Sequence, residues 1–247
     1  MAFQTVFKRY ELKYILTTEQ KERVLAAMAP YMKLDKYGRT TIRNLYFDTD
    51  TYLLIRRSIE KPVYKEKLRI RSYSRADADS TVFVELKKKY KHVVYKRRIS
   101  LSEAEAMKWL SGEKHTDKHT QISNEIDYFM ELYGTLHPAV FLSYEREAYY
   151  ANDGTDFRVT FDDNILCRQE DLSLRSDTYG IPILPESKVL MEIKCSGGIP
   201  LWMTAVLSRE KIYKTSFSKY GTAYRTLIFP QTHTLNLYNM LEVTANV

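Results

Sequence analysis

The stretch Lys65-Glu66-Lys67-Leu68-Arg69-Ile70-Arg71 places a cation at every odd position. Successive side chains of a β-strand face opposite ways, so these cations share one face while Leu68 and Ile70 occupy the other. In Val82-Phe83-Val84-Glu85-Leu86-Lys87 the same period sets Glu85 and Lys87 opposite Val82, Val84 and Leu86. The alternation returns in Arg9/Glu11/Lys13, Lys96/Arg98, Tyr144/Arg146, Arg158/Thr160/Asp162 and Glu192/Lys194. A solvated sheet face explains any one of these segments. Recurrence of Arg and Lys in mid-strand, with isolated carboxylates among them, predicts one strongly ionic sheet surface. If that sheet closes into a barrel of about eight strands, the charged side chains converge on a lumen with room for one elongated ligand. A cationic tunnel calls for a polyanion.

The surrounding chain fits an α+β fold, a closed antiparallel β-barrel with helices packed outside. Strands are expected at 6–16, 41–48, 62–73, 81–89, 92–100, 139–150, 156–163 and 188–195, without the intervening helices that parallel pairing demands. Thr17-Thr18-Glu19-Gln20 and Ser102-Glu103-Ala104-Glu105 read as capping boxes that open helices, the first ended by Pro30 and the second by Gly112. Gly112 to Thr120 reads as a loop, and Ile122, Ile126, Phe129 and Tyr133 recur at helical spacing before Gly134. Asn152-Asp153-Gly154 marks a turn, Pro200 a helix start, and Thr215 to Lys219 the opening of a last helix through Tyr224. No repeat or linker divides the 247 residues, so a single domain over 1–247 is expected, with its core at about 6–228 and a tail at 229–247.

Lys and Arg outnumber Asp and Glu by 38 to 31, a net charge of +7 that favours phosphate-rich partners without choosing among them. Cys167 and Cys195 have no metal-finger spacing and read as core thiols of a reducing cytosol. The N-terminus carries no long apolar run, and no segment approaches the ~20 apolar residues that span a bilayer. A soluble, cytoplasmic protein is expected. The twenty tyrosines and ten phenylalanines suit strands and core. The histidines, His92, His115, His119 and His233 among them, lack ligand spacing and read as solvent-exposed.

No P-loop, dinucleotide turn, zinc-protease pair or nucleophile elbow is present, so phosphate must be held by other means. Arg69 and Arg71 aim two guanidinium forks to one side of a strand, each able to hold phosphate oxygens in pairs. Lys13, Lys87, Lys96, Arg98, Arg146, Arg158 and Lys194 extend that field. Such crowding of like charge requires anions or carboxylates to offset it, and ion pairing with Glu11, Glu85 and Glu192 is the plainer alternative. Glu192 and Glu11 are candidate ligands for a divalent metal bridging substrate phosphates, or simple lysine partners. Ser218 and Lys219 at a helix start offer an anion site, or a plain N-cap.

Phe7-Lys8-Arg9-Tyr10-Glu11-Leu12-Lys13-Tyr14, Leu45-Tyr46-Phe47-Asp48-Thr49, Lys67-Leu68-Arg69-Ile70-Arg71-Ser72-Tyr73, Phe83-Val84-Glu85-Leu86-Lys87, Leu190-Met191-Glu192-Ile193-Lys194 and Ser216-Phe217-Ser218-Lys219-Tyr220 form an ordered series. Together they resemble the VTC domain, the polyphosphate polymerase of the triphosphate tunnel metalloenzyme superfamily, over about residues 6–228. The resemblance implies an antiparallel tunnel and transfer of the ATP γ-phosphate to a growing polyphosphate chain. It also implies a divalent cation, manganese or magnesium. By motif, Lys13, Arg69, Arg71, Lys87 and Lys96 match the family's phosphate-holding cations, and Tyr144 and Arg146 its Tyr-x-Arg element. Arg158 matches its Arg-x-Ser/Thr-x-Asp strand, Glu192 the metal-associated glutamate, and Ser218 with Lys219 the Ser-Lys pair. Where the wider superfamily has ExExK, Arg9, Glu11 and Lys13 stand, which leaves one carboxylate in place of two and argues against simple triphosphatase action. The expected partners are ATP, polyphosphate and pyrophosphate rather than a specific nucleic acid. A tripolyphosphatase or nucleoside triphosphatase, and a non-catalytic polyphosphate- or nucleic-acid-binding module, are the alternatives; a membrane-protein partner is not readable.

Overall fold

The computed structural model describes residues 10–91, 93–113 and 119–230. The chain runs through β1 (Tyr10–Thr17), α1 (Thr18–Met28), β2 (Met32–Leu34), β3 (Thr40–Asp48), α2 (Leu53–Ile59), β4 (Tyr64–Ser72), β5 (Thr81–Tyr90), β6 (Val93–Ser102), α3 (Glu103–Leu110) and α4 (Gln121–Tyr133). It continues through β7 (His137–Ala151), β8 (Arg158–Arg168), β9 (Ile181–Pro182), β10 (Lys188–Cys195), α5 (Leu201–Arg209), β11 (Lys214–Thr215) and α6 (Lys219–Ala223), which passes into a π-helical turn at Tyr224–Ile228. Arg9, His92, His115, His233, the middle of the expected 112–120 loop and the tail beyond Pro230 lie outside the described residues.

The period-two segments form one antiparallel sheet in the order β11-β1-β10-β8-β7-β3-β4-β5-β6, with β2 beside β7 and β9 beside β8. The sheet curls. Glu11 on β1 reaches Lys87 on β5 at 3.6 Å although β10, β8, β7, β3 and β4 lie between them in the sheet. The barrel nevertheless does not close, which corrects the expectation of a closed one: among the described residues β6 has no hydrogen-bonded partner beyond β5. The reason lies on β1, whose edge away from β10 is taken by β11 at Lys13 and Tyr14. Side-chain charge, not a ladder of backbone bonds, bridges the seam.

Alternation sorts the core into three clusters. Leu68, Ile70, Val82, Val84 and Leu86, opposite the charged positions of β4 and β5, pack on the convex side with Trp109 of α3 and Ile126 and Phe129 of α4. Leu16, Val159, Phe161, Met191 and Ile193 do the same beneath Val24 of α1 and Met203 and Val206 of α5. The third cluster fills the concave floor, where Ile42, Tyr46, Leu142 and Leu190 meet Ile55 of α2, Tyr220 and Ala223 of α6 and Leu227 of the π turn. Both capping boxes form as read, at Thr17–Gln20 and Ser102–Glu105. The last helix starts at Lys219 rather than Thr215, because Thr215 pairs with β1.

Arg168 holds the long connection after β8. Its guanidinium lies 3.7 Å from the Phe141 ring centre and 4.2 Å from that of Tyr179, and donates to the carbonyls of Glu170, Asp171, Ser173, Asp177 and Tyr179.

Leu68 is fully buried in the convex core beside concave Lys67. Leu68→Ala is expected to destabilise the protein by roughly 2–5 kcal/mol in urea denaturation, the range for a truncated core leucine; a loss near zero would place Leu68 on the wrong face.

Candidate functional site

Two clusters form around buried carboxylates on the concave face. Glu85 of β5 is 1% exposed, and its Oε2 accepts from Arg69 Nε at 2.9 Å and Nη2 at 2.7 Å. Its Oε1 accepts from Arg98 Nε at 2.7 Å and lies 2.6 Å from Lys96 Nζ. Register sets this grouping, since Glu85 stands opposite Arg69 on β4 and opposite Arg98 on β6, where directly paired side chains meet. Arg71, 3.9 Å from Glu85, donates instead to Asn44 Oδ1 at 2.9 Å and Tyr144 Oη at 3.1 Å. Burial works to raise the Glu85 carboxyl, but Arg69, Arg71, Lys96 and Arg98 hold it well below the usual range. Burial, with Arg71, Arg98 and Arg69 against Glu85, draws Lys96 down to about 7.

The second cluster joins β1, β7, β8, β10 and α6. Arg146 grips Asp162 at two points, Nε to Oδ1 and Nη2 to Oδ2, each at 2.6 Å, and Lys219 donates to the same Oδ2. Glu192 gathers Lys194 at 3.0 Å, Lys13 at 3.3 Å, Arg146 at 3.5 Å and Lys219 at 3.6 Å. Tyr144 links the clusters: it accepts from Arg71, while Arg146 and Lys219 lie 5.1 and 4.4 Å from its ring centre. Burial works to raise its hydroxyl, yet Arg146, Arg71 and Lys219 bring it to about 8. Arg158 joins neither cluster; its guanidinium covers the Tyr150 ring at 4.7 Å and its Nε has no hydrogen-bond partner.

Beyond these clusters the concave face opens into a cavity of about 380 Å³ lined by Lys13, Lys61, Lys65, Lys67, Lys87, Lys89, Lys214 and Arg225, with Glu11 the one carboxylate among the described residues. Lys67 is its most exacting member. Its Nζ donates to Ser218 Oγ at 3.0 Å and sits 5.8 Å from the Tyr220 ring centre, and among the described residues it forms no ion pair. Burial, then Lys87, Lys65 and Lys13, push its pKa well below that of an ordinary lysine. Glu11 pulls Lys87 up, but burial and Lys13 prevail and leave it lowered. Glu11 itself falls to about 2: burial opposes, and Lys87 and Lys13 win. Lys13, between Glu192 and Glu11, is raised despite its burial.

One buried carboxylate holds two walls of this cavity. Asp48, at the end of β3, accepts from the amides of Thr49, Leu54 and Ile55 and from Tyr220 Oη at 2.9 Å. It thus caps α2, whose own N-cap, Tyr52, supplies no side-chain bond, and anchors α6 through Tyr220. A Cβ on Gly221 would stand 3.1 Å from Ser218 Oγ, so glycine there lets Ser218 cap α6 while meeting Lys67. Lys13 Nζ donates to Phe217 O at 3.0 Å, fastening the segment before α6 to β1.

The structure therefore gathers Arg69, Arg71, Lys96 and Arg98 around Glu85, and Arg146, Lys219, Lys13 and Lys194 around Asp162 and Glu192. Lys87, Glu11 and Ser218 stand at the cavity. The sequence reading passed over Lys67, although it sits in the same odd-position run as Arg69, and passed over Asp162 as an anchor. Lys61, Lys214 and Arg225 come from a loop, a two-residue strand and the π turn, where no period marks them.

Among the described residues no three His, Cys, Asp or Glu side chains are placed to hold a metal ion. Glu11 and Glu192 each present Oε1 to Lys13 Nζ at 3.3 Å, so the two carboxylates converge on one point. That donor set fits a divalent cation that arrives with phosphate oxygens and needs only one or two protein carboxylates.

An antiparallel sheet curled around a cationic channel, with α6 set into its floor, defines a tunnel-like fold. The family model of the VTC domain matches residues 8–228, and the chain belongs to the VTC domain family. Among solved structures it resembles a candidate adenylate cyclase from Bacillus halodurans, with a TM-score of 0.56 and 16% identity over 91% of this chain and 100% of that one. It also resembles HpAC1 from Hippeastrum, a candidate adenylyl cyclase described as having a dominant triphosphatase activity, with a TM-score of 0.51 and 16% identity over 87% and 94% of the two chains. At that identity the likeness concerns the fold. No curated protein matches the sequence. No helix among the described residues is long and apolar enough to cross a membrane.

Because Lys67 is charged in the unfolded chain and resists charge in the fold, it opposes folding most below its lowered pKa. That penalty fades as pH rises toward ~10.4, where the unfolded lysine also loses its proton. Lys67→Met is expected to raise the melting temperature at pH 7 by about 2–4 °C, less at pH 10, and to abolish most of the thermal shift that tripolyphosphate induces. A destabilised variant that kept its tripolyphosphate shift would contradict the assignment.

Proposed function

We propose that the chain is an ATP-dependent polyphosphate polymerase that transfers the γ-phosphate of ATP to the end of a polyphosphate chain held in the tunnel. The observation that carries the reading is the cavity around Lys67, where eight cations face one carboxylate. Such an excess favours a highly charged anion between the lysines, because the free protein accommodates it by lowering the pKa values of Lys67 and Lys87. Arg69, Arg71, Arg146 and Lys219 are assigned to the phosphates of the donor, with Lys96, Arg98, Tyr144 and Lys194 bordering them. Lys13, Lys87 and Ser218 are assigned to the acceptor, and Arg158 to the outer field. Glu192 and Glu11 would hold a manganese or magnesium ion, which when bound would neutralise charge on the phosphates. The buried free thiols of Cys167 and Cys195 suit a reducing, cytoplasmic setting.

In this transfer a terminal oxygen of the polymer forms a bond to Pγ, the bond from Pγ to the bridging oxygen breaks, and ADP leaves with the electron pair. The acceptor oxygen is already ionised near pH 7, since a terminal phosphate loses its second proton near ~6. No general base is required. The residues' task is to align donor and acceptor and to spread positive charge around the equatorial oxygens. Hydrolysis, the activity described for the Hippeastrum protein, needs water to be activated. Here the neighbouring cations hold Glu85, Glu192, Asp162 and Glu11 ionised below their usual range, which makes them weak bases. That property favours a phosphate acceptor over water.

Incubation with ATP and manganese is expected to yield ADP and long acid-stable polymer. Orthophosphate without polymer would establish the hydrolase, and binding without turnover a passive polyanion module. Arg69→Ala combined with Arg71→Ala is expected to lower synthesis by ~10²-fold or more with the circular dichroism spectrum retained; undiminished yield from the folded variant would refute the assignment.

Phosphate raises the pKa of lysines that are lowered in the free protein, so binding takes up protons. Tripolyphosphate affinity should therefore fall as pH rises from about 7 through 9, above the ligand's own titration near ~6. Calorimetry in buffers of different ionisation enthalpy reads this directly, and proton release on binding would reverse the argument.

A further inference from the structure

The concave strip changes chemistry along its length. On β4 the inward series runs Lys65, Lys67, Arg69, Arg71, and the next position on that face is Tyr73, just past the strand end. On β5 it runs Lys89, Lys87, Glu85, Phe83, and on β6 Lys96 and Arg98 lie alongside. Ammonium groups therefore occupy one end, guanidinium groups the middle, and two aromatic rings the other end. Tyr73 and Phe83 meet edge to face at 5.6 Å between ring centres. The Arg98 guanidinium lies 4.3 Å from the centre of Phe83 and donates to Tyr73 Oη at 2.7 Å. Arg98 is also a partner of Glu85, so the rings are joined through direct contacts to the Arg69 and Arg71 group.

Exposure separates Tyr73 from the buried aromatics on the face. Tyr46, Tyr144 and Tyr220 are 7%, 3% and 2% exposed and have structural partners, whereas Tyr73 is 44% exposed. At the ammonium end the lining among the described residues includes one aromatic ring, that of Phe217.

We propose that Tyr73, Phe83 and Arg98 form a stacking platform for the base of a nucleoside triphosphate, which fixes the donor with its base at this end and its γ-phosphate toward the lysine cavity. The half-exposed Tyr73 ring, backed edge to face by Phe83 and bordered by the Arg98 guanidinium, is a surface on which a base can stack, and stacking accepts any base. Arg71 and Tyr73 are successive positions on the same face, about 7 Å apart along an extended chain, which leaves a ribose between a base on the ring and phosphates on the arginine. Because stacking does not read a base edge, ATP and GTP should bind alike. The polymer then occupies the ammonium end, which lacks such a platform. This inference rests on the reading of the tunnel as a nucleoside-triphosphate site.

The test compares ATP, GTP and tripolyphosphate binding by calorimetry in wild type, Tyr73→Ala and Tyr73→Phe. Tyr73→Ala is expected to weaken ATP and GTP by ~5- to 100-fold, the range for removing one stacked ring, and to leave tripolyphosphate affinity as in wild type. Tyr73→Phe, which keeps the ring and loses the bond to Arg98, should retain ATP affinity. Equal losses for ATP and tripolyphosphate would mean that Tyr73 acts only by placing Arg98, and unchanged ATP binding in folded Tyr73→Ala would mean no platform; either overturns the proposal. Failure of the wild type to make polymer would sink the polymerase reading alone, because the binding comparison needs no turnover.

Discussion

Like charges crowded on the inside of a curled sheet are the constraint to which this protein answers. Four carboxylates stand among the inward cations, and each draws a fixed set: Glu85 takes Arg69, Lys96 and Arg98, Asp162 takes Arg146 and Lys219, and Glu192 and Glu11 share Lys13. These pairs turn long flexible side chains into a rigid array, because a fully desolvated guanidinium or ammonium is stable only in such company. Around Lys67 the carboxylates run out. The free protein tolerates this by lowering lysine pKa values, so part of the charge is withheld until an anion arrives. Rigid arginines and uncommitted lysines thus follow from the placement of a few acidic residues.

That division has consequences for shape. Backbone pairing does not close the sheet, and the ion pair of Glu11 with Lys87 spans the seam together with the hydrogen bond of Lys67 to Ser218. The concave floor is closed by α6 instead, held from beneath by Tyr220 on Asp48 and from the side by Lys13 on Phe217. Asp48 is a demanding anchor. It is fully buried, and burial raises its carboxyl in spite of the donors from Leu54, Tyr220, Thr49 and Ile55. Its loss would free α2 and α6 together, and with them Ser58, Ile59 and Ser218 at the cavity.

Much of this was legible in the chain. The odd-position cations of β4 and the alternation in β5 identify the charged face because side-chain direction in a strand depends on parity alone. Both capping boxes are local hydrogen-bond patterns and appear where they were read. What failed was whatever depends on distant partners. Helix α2 escaped notice because its cap is Asp48, contributed from the preceding strand, while Tyr52 at its N-cap takes a left-handed conformation, φ 56°, without a capping side chain. That the barrel stays open could not be foreseen, because β11, two residues long, takes part of the β1 edge. Lys67 resembles its neighbours in sequence, and what distinguishes it is a desolvated ammonium group without an ion pair among the described residues, which depends on distant elements.

The same carboxylates that organise the array also decide what chemistry it can favour. A base strong enough to take a proton from water must have a pKa near the working pH, and every acidic group at the clusters is driven the other way by the cations it holds. Strengthening the grip on phosphate therefore weakens any hydrolytic base, and the two demands cannot be met by one side chain. An acceptor that arrives already ionised escapes the conflict, since it needs orientation and charge compensation rather than deprotonation. A chain of phosphates is such an acceptor, and its repulsion from the donor is the one barrier that an array of uncommitted lysines is suited to lower.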